Sequence, residues 1–387
     1  MSSPATLAAE LAALESEGLR RCRRVLQSPQ RAHVTVDGRE YVAFCSNDYL
    51  GLAAHPELVE AAREGARLYG IGAGASHLIL GHTQAHHALE EALARFVDLP
   101  AALFFSTGYM ANLGLVTTLA GRGDAIFADR LNHASLNDAA LLSRATLKRY
   151  RHVDLAALEN LLRGSTAATK LIVSDSVFSM DGDIAPVREL CELAERYDAW
   201  LVLDDAHGFG VLGVGGRGIL EHARLRSTRI AYMATLGKAA GVYGAFVAGA
   251  PELRDMLVQR ARTYVYTTAT PPLIAHTLLK SLELIGRDSV RRVHLSELIR
   301  RIRKGLSDSR WPLLPSQTAI QPIIVGGSRD ALALSEKLAE RGLLVPAIRP
   351  PTVPRDSARL RISLSADHSV DDVDLLVDVL QSIQATP

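Results

Sequence analysis

The chain has 387 residues, 48% of them hydrophobic, with a formal net charge of +1. That supports a large core in more than one domain, and it supplies no basic field of the kind that nucleic acid requires. Three scattered cysteines (Cys22, Cys45 and Cys191) fit neither a disulfide framework nor a zinc spacing, and no stretch approaches the roughly 18 apolar residues that span a bilayer.

Met1-Ser2-Ser3-Pro4 lacks a basic start before an apolar run, so no signal peptide is read and a cytoplasmic setting is expected, without a metal. Residues 5–25 read as an amphipathic helix, with Leu7, Leu11 and Leu14 at helical spacing and Arg20, Arg21, Arg23 and Arg24 on its solvated face. A strand pair is expected over 33–45, turning at Asp37-Gly38. Between about 55 and 290, helical patterns alternate with apolar runs at 102–105, 125–128, 171–174, 200–203, 230–233 and 245–248. Cys191 falls on one helical stripe, with Val187, Leu190, Ala194 and Tyr197, and reads as core. Continuous apolar strands between helices predict an α/β fold with a mostly parallel sheet, covered on both faces, whose ligands bind at the strands' carboxyl ends. Beyond 290 a charged helix, short strands at 319–325 and 359–363, and helices at 329–341 and 369–383 read as a smaller C-terminal α+β domain. The expected division is 1–45, 46–290 and 291–387.

Lys238 closes the run Thr235-Leu236-Gly237-Lys238, about thirty residues after Asp204-Asp205-Ala206-His207-Gly208. A lysine after glycine is usually solvated. With an aspartate at the end of an earlier apolar strand, it has what pyridoxal phosphate (PLP) chemistry needs. The amine forms a Schiff base with the cofactor aldehyde, and the carboxylate keeps the pyridine nitrogen protonated. Ser106-Thr107-Gly108-Tyr109-Met110-Ala111-Asn112 follows a strand and opens a helix, so its backbone N–H groups can hold a phosphate, joined by the Thr235 hydroxyl. Gly108 lets the backbone approach closely. His207 can donate to the ring oxygen, and His133 can stack on the ring. His152 and His368 read as solvated loop residues, and His86-His87 as surface. Gly70-Ile71-Gly72-Ala73-Gly74 looks like half of a dinucleotide fingerprint, but it follows a helical stretch.

Five segments in order resemble the α-oxoamine synthases: Ser46-Asn47-Asp48-Tyr49-Leu50-Gly51-Leu52, Asn132-His133-Ala134-Ser135, Val177-Phe178-Ser179-Met180-Asp181-Gly182-Asp183, Asp204 to Gly208, and Thr235 to Lys238. The resemblance covers about residues 15 to 380. It implies a PLP-dependent transferase of fold type I that joins an amino acid to an acyl thioester and releases carbon dioxide. Ile348-Arg349-Pro350-Pro351-Thr352-Val353-Pro354 and Ala358-Arg359-Leu360-Arg361 are most similar to the biotin-pathway member, which takes L-alanine and a pimeloyl thioester on coenzyme A or acyl carrier protein.

Carried over, Lys238 is the Schiff-base lysine and general base, with Asp204 and His133 as the other catalytic residues. Gly108, Tyr109, Ser179, His207 and Thr235 bind the cofactor. Asn47 and Arg361 hold the amino-acid carboxylate; Arg21 and Thr352 contact substrate, and Arg349 reaches the distal acid. The resemblance also implies a homodimer in which Thr267 and Thr268 serve the partner's phosphate. Asp175 stands where other members carry Glu, so a poorer reach to His133 is expected. His77 receives no role. The alternatives are a sister synthase using glycine (2-amino-3-oxobutyrate ligase or 5-aminolevulinate synthase), a nicotinamide dehydrogenase built on Gly70 to Gly74, and a non-catalytic PLP-binding protein.

Overall fold

Asp37 and Gly38 take positive φ angles of 50° and 78°, the conformation of a two-residue type I′ hairpin turn, which glycine reaches without steric cost. They join β1 (His33–Val36) to β2 (Arg39–Ala43) in an antiparallel pair. The computed structural model describes residues 3–385. It forms two compact units. One comprises the chain up to Tyr49, Met180–Gly182 and the chain from Val293; the other comprises Leu50–Ser179 and Asp183–Arg292.

The larger unit is built on seven strands: β3 (Ala101–Phe105), β4 (Ala125–Asp129), β5 (Thr146–Tyr150), β6 (Lys170–Asp175), β7 (Trp200–Asp204), β8 (Ile230–Thr235) and β9 (Ala245–Gly249). Their order is β3-β9-β8-β7-β6-β4-β5. β9 runs antiparallel to both neighbours and every other pair is parallel. The reason is connection length. Parallel neighbours need a long crossover, whereas the short loop from β8 to β9 lets the chain reverse directly. Lys238 sits in that loop. All six apolar runs are strands, and residues such as Ile126, Phe127, Ile172, Leu201, Val202 and Ala231 are completely buried. β5 was not expected. It is an edge strand with Lys148 and Arg149 along it, and charge on an edge discourages pairing with another chain.

The smaller unit holds β10 (Ile320–Gly326), β11 (Leu343–Leu344), β12 (Ala347–Ile348) and β13 (Ala358–Ser363). The order β10-β13-β12 makes one antiparallel sheet, and β11 adds in parallel to β2 in the other. The first 45 residues, expected to stand apart, therefore share a sheet with the C-terminal segment. The first helix also departs from expectation. It spans Pro4–Ser16, not 5–25, and buries no residue. Gly18 ends it: at φ 65° it takes the left-handed conformation, while Leu19 N–H reaches back to Leu14 O at 2.8 Å. The arginine cluster follows the helix and does not lie on it. No described helix is long and apolar enough to cross a membrane.

Candidate active site

Parallel strands bring their carboxyl ends to one edge, so residues distant in sequence become neighbours. Asp175 ends β6 and lies directly beside Asp204, which ends β7; Asp204 in turn lies beside Met233 of β8. Three residues beyond the end of β8, the chain presents Lys238. Its Nζ is 2.8 Å from Nε2 of His207, on the loop after β7. Asp204 is buried and accepts hydrogen bonds from two neutral donors: Asn112 Nδ2 to Oδ2 at 2.7 Å and the Ala206 N–H to Oδ1 at 3.0 Å. A desolvated carboxylate held this way is suited to a cationic ring nitrogen.

His133 caps the helix Ala134–Ser143, its Nδ1 accepting from the Ser135 N–H at 3.3 Å and pairing with Ser135 Oγ at 2.7 Å. Ser135 Oγ also accepts from Asn112 Nδ2 at 2.9 Å. Asn112 thus links the carboxylate of Asp204 to the hydroxyl that orients His133. Burial lowers the His133 pKa and the Lys238 cation lowers it further, while Asp204 and Asp138 oppose the shift. The ring is therefore held toward its neutral form, in which one nitrogen can still accept. Asp175 reaches His133 after all, contrary to the expectation from its length. Its Oδ2 accepts the His133 backbone N–H at 2.8 Å, so the shorter acid holds the main chain. Burial raises the Asp175 pKa, and the adjacent Asp204 charge adds to the rise.

The phosphate candidate is the N-terminus of the helix Gly108–Leu119, where the Thr107 hydroxyl accepts the Met110 N–H at 3.1 Å. A Cβ built on Gly108 would lie 3.9 Å from Thr235 Cβ and meet nothing closer than 3.8 Å. The glycine relieves no clash inside the chain. It leaves open the space before the helix end, beside Thr235, where N–H groups and the helix dipole favour an anion. Tyr109 donates to Asp138, which raises its pKa. The segment containing Ser179 is a small hairpin, with Val177 bridged to Ile184. Thr267 is half-buried and Thr268 exposed, next to a Tyr266 that is 72% exposed.

In the smaller unit, side chains at alternate positions of β13 share a face. Arg361 is buried there and donates to Ser363 Oγ at 2.7 Å, Asn47 Oδ1 at 3.2 Å and Tyr49 OH at 3.4 Å. Tyr49 OH donates to Asn47 Oδ1 at 3.1 Å. Arg21 reaches Thr352 Oγ1 at 3.4 Å, and Arg349 donates to Gly18 O. Burial lowers the Arg349 pKa and Arg21 lowers it further, so these cations are close enough to repel.

Three histidine readings need correction. His86 is fully buried, bonding Thr270 O at 2.7 Å, while Thr83 N–H donates to its Nδ1 at 3.1 Å; His87 alone is exposed. His368 is buried and stacks on Phe44 with ring centroids 4.4 Å apart. His152 is clamped between Asp129 at 3.1 Å and Asp183 at 2.9 Å, and the two carboxylates overcome its burial to raise its pKa to about 10. His77, left without a role, is buried, stacks on Tyr264 and contacts His82 at 3.2 Å; burial lowers its pKa to about 3. Sequence reasoning missed Asn112, Ser135 and Asp138. Asn112 and Ser135 lie inside the motifs already singled out, four residues after Gly108 and two after His133, and that spacing was the available signal. Cavity size is a poor guide here. A space of about 800 Å³ lined by Val97, Leu220, Arg224 and Glu252 contains none of the candidate residues.

The aminotransferase class I and II family model matches residues 39–380. The 8-amino-7-oxononanoate synthase of Nitrosospira multiformis is 62% identical over 368 residues, covering 95% of this chain and 93% of that protein. Further relatives at 57–62% identity carry the same name. Among solved structures, Sphingomonas wittichii serine palmitoyltransferase has a TM-score of 0.92 at 33% identity, over 97% of this chain and 96% of that one. A high-resolution structure of SPT with PLP has a TM-score of 0.92 at 28% identity, with the same coverage.

Proposed function

This chain belongs to the aminotransferase class I and II family, and we propose that it condenses L-alanine with a pimeloyl thioester to give 8-amino-7-oxononanoate, in biotin biosynthesis. It is a PLP-dependent acyltransferase of fold type I. The product's structure identifies the substrates. Its amine-bearing carbon and adjacent methyl are alanine without the carboxylate. The remaining oxoacyl chain, ending in a carboxylate, is a pimeloyl group. The observation that carries the reaction type is Lys238 Nζ at 2.8 Å from His207, on the strand-end edge that also holds buried Asp204. The choice of alanine and a pimeloyl group over serine and a palmitoyl group rests on identity, 62% against 28–33%.

When bound, PLP supplies an electron sink for negative charge on the amino acid's α-carbon. The chain supplies the rest. Gly108, Tyr109, Ser179 and Thr235 hold the cofactor, with Thr267 and Thr268 assigned to the partner subunit's phosphate in a homodimer. Asp204 keeps the ring nitrogen protonated, His207 donates to the ring oxygen, and His133 stacks on the ring. Lys238 anchors the cofactor and then removes the α-proton of alanine. Asn47 and Arg361 hold the alanine carboxylate. The α-carbon bonds to the thioester carbonyl and the thiol leaves. The carboxylate, now β to a ketone, departs as carbon dioxide, and Lys238 returns a proton. Arg21, Thr352 and Arg349 are assigned to the thioester and its distal acid. The cations from Arg20 to Arg24 attract an anionic carrier of either kind, coenzyme A or acyl carrier protein.

The test is a substrate panel on the purified PLP-loaded enzyme. Alanine, glycine and serine are each paired with pimeloyl-coenzyme A, pimeloyl-acyl carrier protein and palmitoyl-coenzyme A. The reading requires carbon dioxide release and product with alanine and a pimeloyl thioester. Preference for glycine moves the chain to the sister synthases, and turnover with serine and palmitoyl-coenzyme A removes the assignment.

A further inference from the structure

Directly after Asp204 comes a second carboxylate to which the proposed reaction gives no role. Asp205 is completely buried. Its Oδ2 accepts the Tyr232 hydroxyl of β8 at 2.7 Å and the Ile219 N–H at 2.8 Å, and its Oδ1 accepts the Ser176 hydroxyl, just beyond β6. Its own N–H donates to Met233 O at 2.7 Å, and its carbonyl accepts the Gly208 and Phe209 N–H groups at 3.1 and 3.0 Å. One residue therefore ties the ends of β6 and β8 to the loop that follows β7. Two glycines make room for it. A Cβ at Gly208 or at Gly218 would lie 2.1 Å from one of its oxygens, far inside any real contact. Burial, with a smaller contribution from Asp204, raises the Asp205 pKa to about 7 against the pull of its hydrogen bonds. Such a group is costly to keep in a core, and hydrogen bonds to each oxygen are what make it tolerable.

We propose that Asp205 is a positioning residue, whose hydrogen-bonded carboxylate fixes the turn after β7 so that Asp204, one residue before it, and His207, two residues after it, keep their places toward the cofactor. The proposal rests on the PLP reading above. It separates Asp205 from the residues that touch the reacting atoms, since it acts through its neighbours.

Two substitutions distinguish this frame from a merely structural residue. Asp205→Ala removes the frame. Asp205→Asn can retain it, because the amide oxygen still accepts from Tyr232 and Ile219 while the amide NH₂ donates to Ser176 Oγ. In the PLP-loaded enzyme, Asp205→Ala should lower kcat at least about tenfold while the alanine KM moves less than about threefold. It should also shift the pH midpoint of the visible absorption of lysine-bound PLP by about half a unit or more. Asp205→Asn should recover most of both. Three results overturn the proposal: a folded Asp205→Ala with wild-type midpoint and kcat, variants that lose only thermal stability, or an Asn variant as impaired as the Ala variant. If Asp205→Ala does not fold, Tyr232→Phe and Ser176→Ala each remove one donor. Each should then give a smaller shift in the same midpoint, and an unmoved midpoint in both overturns the proposal. The wild-type enzyme is the control for the underlying reading: absence of any visible PLP absorption there refutes PLP binding, not the role of Asp205.

Discussion

Asp204→Asn separates fold from chemistry, because the new side chain has nearly the same shape. The Ala206 N–H, now 3.0 Å from Asp204 Oδ1, finds the amide oxygen instead. On the other side the new NH₂ would face Asn112 Nδ2, which donates to Oδ2 at 2.7 Å. Asn112 can turn its own amide over, since its Oδ1 is buried with no partner. The exchange sacrifices a hydrogen bond at Ser135, about 1 kcal/mol. The large loss falls on the ring nitrogen, which keeps its proton only while a carboxylate faces it. An ion pair in a desolvated site contributes about 4 kcal/mol, or on the order of a thousandfold in rate. The assay is exchange of the alanine α-hydrogen with deuterated solvent, without thioester, beside a PLP-binding titration. The variant should bind PLP and exchange about a thousandfold more slowly. Exchange within about tenfold of wild type refutes the pairing.

His152→Ala removes the cation between Asp129, 1% exposed, and Asp183. Breaking a buried pair costs about 3 kcal/mol, and about 2 kcal/mol here because the ring is a quarter exposed. The folded pKa, about 10, lies above the ordinary 6.5. The contribution is thus complete below pH 6.5 and lost as pH rises through about 10. Urea unfolding should show a wild-type advantage near neutrality that shrinks above that pH, and a constant difference contradicts the clamp. Arg361→Lys should raise the alanine KM far more than the thioester KM, because a guanidinium matches a carboxylate bidentately and an ammonium does not; the opposite split moves Arg361 to another site. Mixing Lys238→Ala chains with chains altered at Thr267 and Thr268 should restore activity in dimers where one site carries both lesions and the other neither. No recovery after confirmed subunit exchange returns those threonines to their own subunit.

The strands of the large sheet were legible because each is buried on both faces and reads as an unbroken apolar run. β5 was not, since Thr146-Leu147-Lys148-Arg149-Tyr150 occupies an edge and two charges interrupt its apolar run. The first helix was read too long because the leucine spacing outweighed Gly18, whose backbone conformation ends it. At the site, Asp204, His207 and Lys238 were legible as short motifs because parallel strands place their carboxyl ends side by side. The histidines were not. The partners of His86, His152 and His368 are Thr270 O, Asp129 with Asp183, and Ala43 O, groups brought close only by tertiary structure. Asp175 was misjudged for a different reason. Its shorter side chain was expected to reach His133 poorly, whereas it accepts the main-chain N–H of that residue.

Lys238 is the residue assigned to carry the cofactor, and every later step depends on it. Borohydride reduction of the PLP-loaded enzyme, followed by peptide mass mapping, reads this out without any assumption about substrate. One phosphopyridoxyl adduct is expected, on the peptide containing Thr235-Leu236-Gly237-Lys238, and it should be lost in Lys238→Ala. An adduct on another lysine, or none on a fully loaded enzyme, contradicts the assignment.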